Sequence, residues 1–325
     1  MSYKWYAGVP HTHTVASDGK LTLEELIRLA RRNRLDFMMI TDHNVNCKND
    51  LPEVDGLTLI YGTEYTKNGG HANIWGVKNA VDDFSAEAYE EWLEIKAEAK
   101  RRGAVVCMNH PWCMQCPWRW EKDAKEVDVL EVWNAPQHFD NMVCTEWWHE
   151  QMRAGIRLPI VGGSDYHSDY VVTNLLPRPV TYVYAASSSP EDILDAIVRG
   201  RTTICNNPGS TFIELKCGEA MHGDAVKLEE GLKVTVSIKK MKKNHTLHVF
   251  DTDGECFTYK AERAGDYSFE IPVTKSGFMC AHITYKTKKI YDWGYDKVIA
   301  SKIPVQKGMK LPPFIWAQSG AIFFE

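Results

Sequence analysis

The chain lacks any apolar run of membrane-spanning length, and its first residues, MSYKWYAGVPHTHT, hold no stretch suited to a secretory signal. The expectation is a cytoplasmic protein with no membrane partner. It also lacks an excess of basic charge: 38 Lys+Arg against 43 Asp+Glu leave a net charge of −5. That balance offers no long-range attraction for a nucleic-acid polymer or anionic lipid. A small phosphorylated ligand stays possible, because bound cations can dominate the local field. A disulfide framework is missing as well. The nine cysteines are odd in number and scattered, and without a secretory signal they read as reduced, mostly buried thiols. The one close pair, Cys113 and Cys116, has no second CxxC, which favours a structural or ligand-loop role over a zinc or redox site. Internal repeats and low-complexity tracts are absent.

What is present is an ordinary globular composition. With 325 residues, 44% hydrophobic and 11% aromatic, the chain can bury the core of one large α/β domain plus a smaller partner. Apolar runs at 37–40, 57–61, 104–108, 129–132 and 158–161 read as buried parallel strands. Helical patterns lie between them. Thr22 is a candidate N-cap for 23–32, with Glu25 completing a capping box. Ser85 precedes a Glu- and Lys-rich helix over 86–102 that ends at Gly103, and Ser189-Pro190 opens another closed by Gly200. Such β/α repetition implies a barrel or a doubly wound sheet. After about Arg201 the pattern changes to alternating runs at 233–238, 246–250, 268–271 and 279–284, with Asp253-Gly254 and Ser276-Gly277 as turns. That predicts an antiparallel β module, a small sandwich.

Five clusters of candidate ligands follow the predicted strands. His11-Thr-His13 with Asp18-Gly19, Thr41-Asp42-His43-Asn44, Glu64 with His71 beyond it, Asn109-His110-Pro111, and Asp165-Tyr-His167 each come after one. In β/α barrels those strand ends converge on one face, where active sites are built. His-x-His on an extended segment puts both imidazoles on one side, within reach of one cation, and Asp165 and His167 repeat the geometry. Imidazole with carboxylate suits zinc, manganese or iron, and a carboxylate such as Glu64 can bridge two ions. Each cluster alone has a plainer reading. Asp18-Gly19 can be a turn, His110 a packed loop residue, His71 an exposed residue of a Gly-rich loop, and Asp42 a residue that orients a histidine. Five coincidences at five strand ends point instead to a metal-dependent hydrolase.

The segments HTHTVASDG, TDHN, GTEYT, NHP and GGSDYH, in that order over 11–167, resemble the PHP (polymerase and histidinol phosphatase) superfamily. Glu64 followed by GGHANIWG is further similar to the CehA/McbA-type branch, whose members also carry a C-terminal β module. The resemblance implies a distorted (β/α)7 barrel over 1–205, followed by a small antiparallel β-sandwich-like module over 206–325. It implies two or three divalent ions (Mn2+, Zn2+ or Fe2+), with His11, His13, Glu64 and Asp165 around the first. Glu64, as a bridge, with His71 and His110 would hold the second, and Asp18, His43 and His167 the third. All nine ligands are present, which favours three ions. The family usually has Asp-Leu before its first histidine where this chain has Val9-Pro10, which leaves the support of His11 open.

The leading expectation is hydrolysis of a small phosphomonoester, nucleotide or cyclic phosphodiester, with Asp165 and His167 also relaying protons. The aromatic loop 111–120 is a candidate wall or lid, with Arg119 as its one cation and Lys67 as a second phosphate contact; packing against the surface is the plainer alternative. The rivals are a carboxyl ester or carbamate hydrolase of the CehA type and a non-catalytic metal-containing binding module. The sequence leaves the oligomeric state undetermined.

Overall fold

The computed structural model describes residues 3–47, 49–85, 87–135, 140–169, 174–286 and 313–325. Among the described residues the first part carries nine strands: β1 (Lys4–Val9), β2 (Phe37–Ile40), β3 (Thr58–Lys67), β4 (Gly70–Trp75), β5 (Val105–Met108), β6 (Val129–Asn134), β7 (Ile160–Gly163), β8 (Val180–Ala185) and β9 (Thr202–Cys205). Four helices accompany them: α1 (Leu23–Arg32), α2 (Tyr89–Arg101), α3 (Asp140–Arg153) and α4 (Pro190–Val198). The result is a mixed α/β protein with one large sheet and few helices.

Local chemistry explains the helix ends. Thr22 Oγ1 accepts the Glu25 N–H (3.3 Å) while the Glu25 carboxylate accepts the Thr22 N–H (2.9 Å), so two otherwise orphaned donors are satisfied reciprocally. Ser189 caps α4 through the Asp192 N–H, and Gly200 follows that helix at a φ of +75°. The expected cap at Ser85 is not formed. Its hydroxyl donates to Asp83 (2.7 Å), and α2 starts at Tyr89, where the Glu91 carboxylate accepts the Glu87 and Ala88 N–H groups. Ala86 lies outside the described residues.

The sheet runs β8-β1-β2-β3-β4-β5-β6-β7 through this part. β1, β2 and β3 are parallel, as are β5, β6 and β7. The uniformly parallel arrangement expected from the apolar runs is broken in the middle. β3 continues six residues past 61, to Lys67, and β4 returns antiparallel to it before pairing antiparallel with β5. His71 therefore lies in a strand, not in a loop. At the far end the sheet curls until β7 meets β8 through one side chain: Thr181 Oγ1 accepts the Gly162 N–H (2.9 Å) and donates to the Gly162 carbonyl (2.8 Å).

The later strands are β10 (Phe212–Cys217), β11 (Ala220–Met221), β12 (Ala225–Val226), β13 (Lys233–Met241), β14 (Thr246–Asp251), β15 (Gly254–Lys260), β16 (Gly265–Pro272), β17 (Gly277–Tyr285), β18 (Phe314–Ser319) and β19 (Ile322–Phe324). β11-β10-β13-β16 form a separate antiparallel sheet. Its inward residues Ile213, Leu215, Val234 and Val236 share a buried core with Leu247, Val249, Ala281 and Ile283 of β14 and β17. That is sandwich-like packing, but β14, β17 and β18 are not free-standing, because β18 pairs with β9 and carries them into the large sheet. No helix among the described residues is long and apolar enough to cross a membrane.

Candidate metal centre

Most ligand candidates sit just past strand ends, while Glu64 lies within β3 and His71 near the start of β4, and backbone bonds lace these segments together. The His13 N–H donates to the Tyr166 carbonyl (3.0 Å), the Thr41 N–H to Thr12 (3.0 Å), the Asn44 N–H to Glu64 (2.8 Å) and the Asn109 N–H to His71 (3.0 Å). Turns that redirect the chain complete the placement. His110 and Asp165 adopt φ values of +29° and +49°, a region costly for residues with a Cβ, by about 1 kcal/mol or more each. Among the described residues the Asp42 carboxylate bonds to no histidine. It accepts the Thr14 N–H and the Thr14 and Ser17 hydroxyls at 2.7–2.8 Å, holding the turn that leads to Asp18.

All nine expected ligands converge. His11, His13, Glu64 and Asp165 form one group, and His13, Asp18, His43 and His167 another, each with donor atoms mutually within 4.8 Å. His71 and His110 group with Cys116, and both imidazoles face Glu64 Oε1, at 3.1 Å from His71 Nδ1 and 3.5 Å from His110 Nε2. Glu64 is fully buried at the junction. Its Oε2 lies 3.4, 3.5 and 2.7 Å from nitrogens of His11, His13 and His43, yet accepts no hydrogen bond of good geometry. His43 Nδ1 is aligned instead with the Thr66 hydroxyl (2.7 Å), which leaves Nε2 facing Asp18 Oδ1 at 3.6 Å. His167 Nε2 is 3.1 Å from the same oxygen.

The donor set fits divalent cations. Ligand atoms ~2.1 Å from an ion stand ~3.4 Å apart in a tetrahedron and ~3.0 Å apart in an octahedron. Much of the centre shows such spacing, including His11 Nε2 and His13 Nε2 at 3.3 and 2.9 Å from Asp165 Oδ1. Buried atoms left without a hydrogen bond include His11 Nε2, Glu64 Oε2 and His110 Nε2. Orphaned buried donors and acceptors are costly, so several at one point indicate a partner that is not a protein group.

The electrostatics agree. Burial opposes the charged form of Glu64 and Asp165, but the neighbouring imidazoles, His11 foremost, overcome it and hold both carboxyls well below the ordinary range. Burial likewise opposes charge on His11, where Glu131, Asp165 and Glu64 outweigh it and keep the pKa well above the usual value. His110 is pushed up to about 9 against its burial by the proximity of Glu64 and other carboxylates. In His13 burial wins and the pKa falls. Without a cation, imidazolium protons balance the carboxylates; a cation would take over that role.

Two residues of the site escaped the sequence reading. Glu131, buried within β6, places Oε1 2.9 Å from His11 Nδ1, while its Oε2 accepts from Asn134 Nδ2 (3.2 Å). With Nδ1 engaged, Nε2 of His11 points into the cluster, so this carboxylate supplies the support that Val9-Pro10 cannot. A glutamate inside the apolar run VLEV was the available signal. Cys116 was set aside with its CxxC. Of the two expected substrate contacts, Lys67 pairs with Glu87 (3.3 Å), and Arg119 is exposed with no side-chain partner among the described residues. Of the aromatic loop's residues, Trp118 and Trp120 turn inward against Trp92 of α2.

Fold and site together define a mixed α/β protein built around a buried imidazole–carboxylate cluster of metal-ligand type. Among solved structures the chain is similar to a two-domain protein containing a predicted PHP-like metal-dependent phosphoesterase from Bacteroides vulgatus, with a TM-score of 0.50 and 20% identity over 86% of this chain and 90% of that one. It also overlaps a candidate metal-dependent phosphoesterase from Bifidobacterium adolescentis, with a TM-score of 0.38 and 21% identity over 50% of this chain and 87% of that one. No family model and no curated protein matches the sequence. The likeness to the first structure is one of fold.

Proposed function

We propose that the protein is a PHP-type metal-dependent phosphoesterase acting on a small phosphomonoester, nucleotide or cyclic phosphodiester. The observation that carries this reading is the meeting of His11, His13, Asp18, His43, Glu64, His71, His110, Asp165 and His167 in adjoining clusters around the buried Glu64. The curl that returns β7 to β8 supports a distorted (β/α)7 barrel for 1–205, with 206–325 as the β module.

Three divalent ions (Mn2+, Zn2+ or Fe2+) would be held as the superfamily resemblance implies, Glu64 being shared between the first two. When bound, they supply Lewis acidity that lowers the pKa of a water molecule and neutralises phosphoryl oxygens. The chain's own residues have distinct tasks. Glu131 fixes the ring of His11, and Asn109 Nδ2 donates to Glu64 Oε1 (2.9 Å) to hold the shared carboxylate. His167 is half-buried at the rim with Nδ1 at 2.8 Å from the Asp165 carbonyl, so Nε2, 3.1 Å from Asp18 Oδ1, is the atom it would offer to the third ion, or to a proton when that ion is not bound. Arg119, free of ion pairs among the described residues, contacts the substrate phosphate, and Lys67 joins it on leaving Glu87.

The test is a panel of paired phosphate and carboxyl esters, with aryl carbamates, assayed on metal-reconstituted protein. Phosphate release from at least one mono-, di- or cyclic ester is expected. Turnover of aryl esters or carbamates alone would replace phosphoester with carboxyl-type hydrolysis. Substoichiometric metal with no hydrolysis of any kind would leave a binding module.

A further inference from the structure

The CxxC that found no partner pair in the sequence lies beside the metal centre. Cys116 Sγ shares a group with nitrogens of His71 and His110, all within 4.8 Å, and lies 3.8 Å from His110 Nδ1. In a tetrahedral site with Zn–S of ~2.3 Å and Zn–N of ~2.1 Å, the sulfur and nitrogen stand ~3.6 Å apart.

The loop that carries Cys116 is built to reach this place. The Gly69 carbonyl accepts the Arg119 (2.7 Å) and Trp120 (3.1 Å) N–H groups, pinning the loop to the start of β4 two residues before His71. Gly69 and Gly70 make the approach possible. A Cβ on either would fall 1.9 Å from the Trp120 ring or 2.4 Å from the Trp118 ring. The Cys113 N–H donates to the His110 carbonyl (2.8 Å), folding the CxxC back over that imidazole. The two sulfurs lie 3.1 Å apart with the Cys116 thiol donating to Cys113, so Cys116 must release that proton to bind an ion.

We propose that Cys116 supplies a thiolate to an ion held with it by His71 and His110, giving the edge of the centre a soft ligand. Two imidazoles and a thiolate, with a fourth position left to water, make a donor set that prefers zinc or ferrous iron to manganese or magnesium. This inference rests on the metal-centre reading above and goes beyond its nine ligands.

The protein is stripped of metal and loaded with cobalt(II), and its near-ultraviolet absorption is recorded together with cobalt content. Wild type is expected to show an intense thiolate-to-cobalt charge-transfer band, which Cys116→Ser loses and Cys113→Ser keeps. A wild-type protein that binds cobalt without the band overturns the thiolate ligand and leaves Cys116 as a neighbour of His110. A band that survives in Cys116→Ser also overturns it. A wild-type protein that takes up no cobalt sinks the metal-centre reading itself, an outcome distinct from the other two.

Discussion

Gly163, the last residue of β7, is the space into which Glu131 reaches: a Cβ at this glycine would stand 2.1 Å from Glu131 Oε1 and 2.6 Å from His11 Cβ. The glycine is not needed for an unusual backbone angle. It is needed because a buried carboxylate and the first imidazole of the centre meet directly above it.

Gly163→Ala is therefore expected to cripple the centre without altering any ligand. The added methyl must displace Glu131, His11 or β7, and overpacking of this kind costs ~1–3 kcal/mol. Metal analysis should show the ion beside His11 lost or weakened, with circular dichroism near that of wild type. Full occupancy and normal activity would show that the contact relaxes harmlessly.

Glu131→Gln tests the support of His11 alone. The amide keeps the size but removes the charge that stabilises the donated Nδ1–H, and losing such an outer partner typically lowers metal affinity by ~10–100-fold. A chelator-competition titration reads the change. Unaltered affinity would mean that His11 is held by packing.

Asp165→Ala and His13→Ala each remove a group at the heart of the cluster and should abolish turnover while leaving the fold largely intact. In contrast, His245→Ala and His248→Ala should leave kcat within a few-fold. His248 is engaged with Glu255 (2.7 Å) and Thr284 (2.9 Å), and His245 stacks on Tyr285, both away from the centre. Activity within a few-fold of wild type in the first pair would remove those residues from the chemistry.

Stability should depend on pH differently with and without metal. His110 has a folded pKa of about 9 against ~6.5 for a free imidazole, so the metal-free protein retains a proton that the unfolded chain releases. That contribution is complete below pH ~6.5 and is lost as pH rises through about 9. Metal-free protein should thus lose stability on the order of 1–3 kcal/mol across this window, while metal-loaded protein is spared, because the ion replaces the proton. The buried His149, with a pKa of about 3, and His222, at about 4, act at the other end. Their share is present above pH ~6.5 and declines as pH falls towards those values in both forms. Thermal unfolding of chelated and loaded protein measures both limbs, and a metal-free protein that gains stability above pH ~6.5 would contradict the assignment.

Much of the fold was legible locally. The run at 37–40 is β2 itself, and the Thr22–Glu25 capping box opens α1 as read. β4 was missed because its pattern, GHANIW, opens on Gly and alternates poorly, and only pairing with β3 and β5 makes it a strand. α3 was missed for a related reason. It is packed against β6 on one side and against β17 and β18 on another, so Cys144, Thr145, Trp148 and His149 are all buried and no single apolar stripe marks it.

The identities and order of the nine candidate ligands, and their position after apolar runs, were set by the chain as written, because strand periodicity and strand-end turns are local properties. Folding alone placed Glu131 against His11 across 120 positions, brought Cys116 over His71 and His110, and continued the C-terminal strands into the large sheet. Those relations depend on side chains meeting at about 3–4 Å after the sheet curls. Local spacing does not carry them, since the hydrogen bond at 2.9 Å depends on where two distant backbones cross and on a glycine that leaves the room.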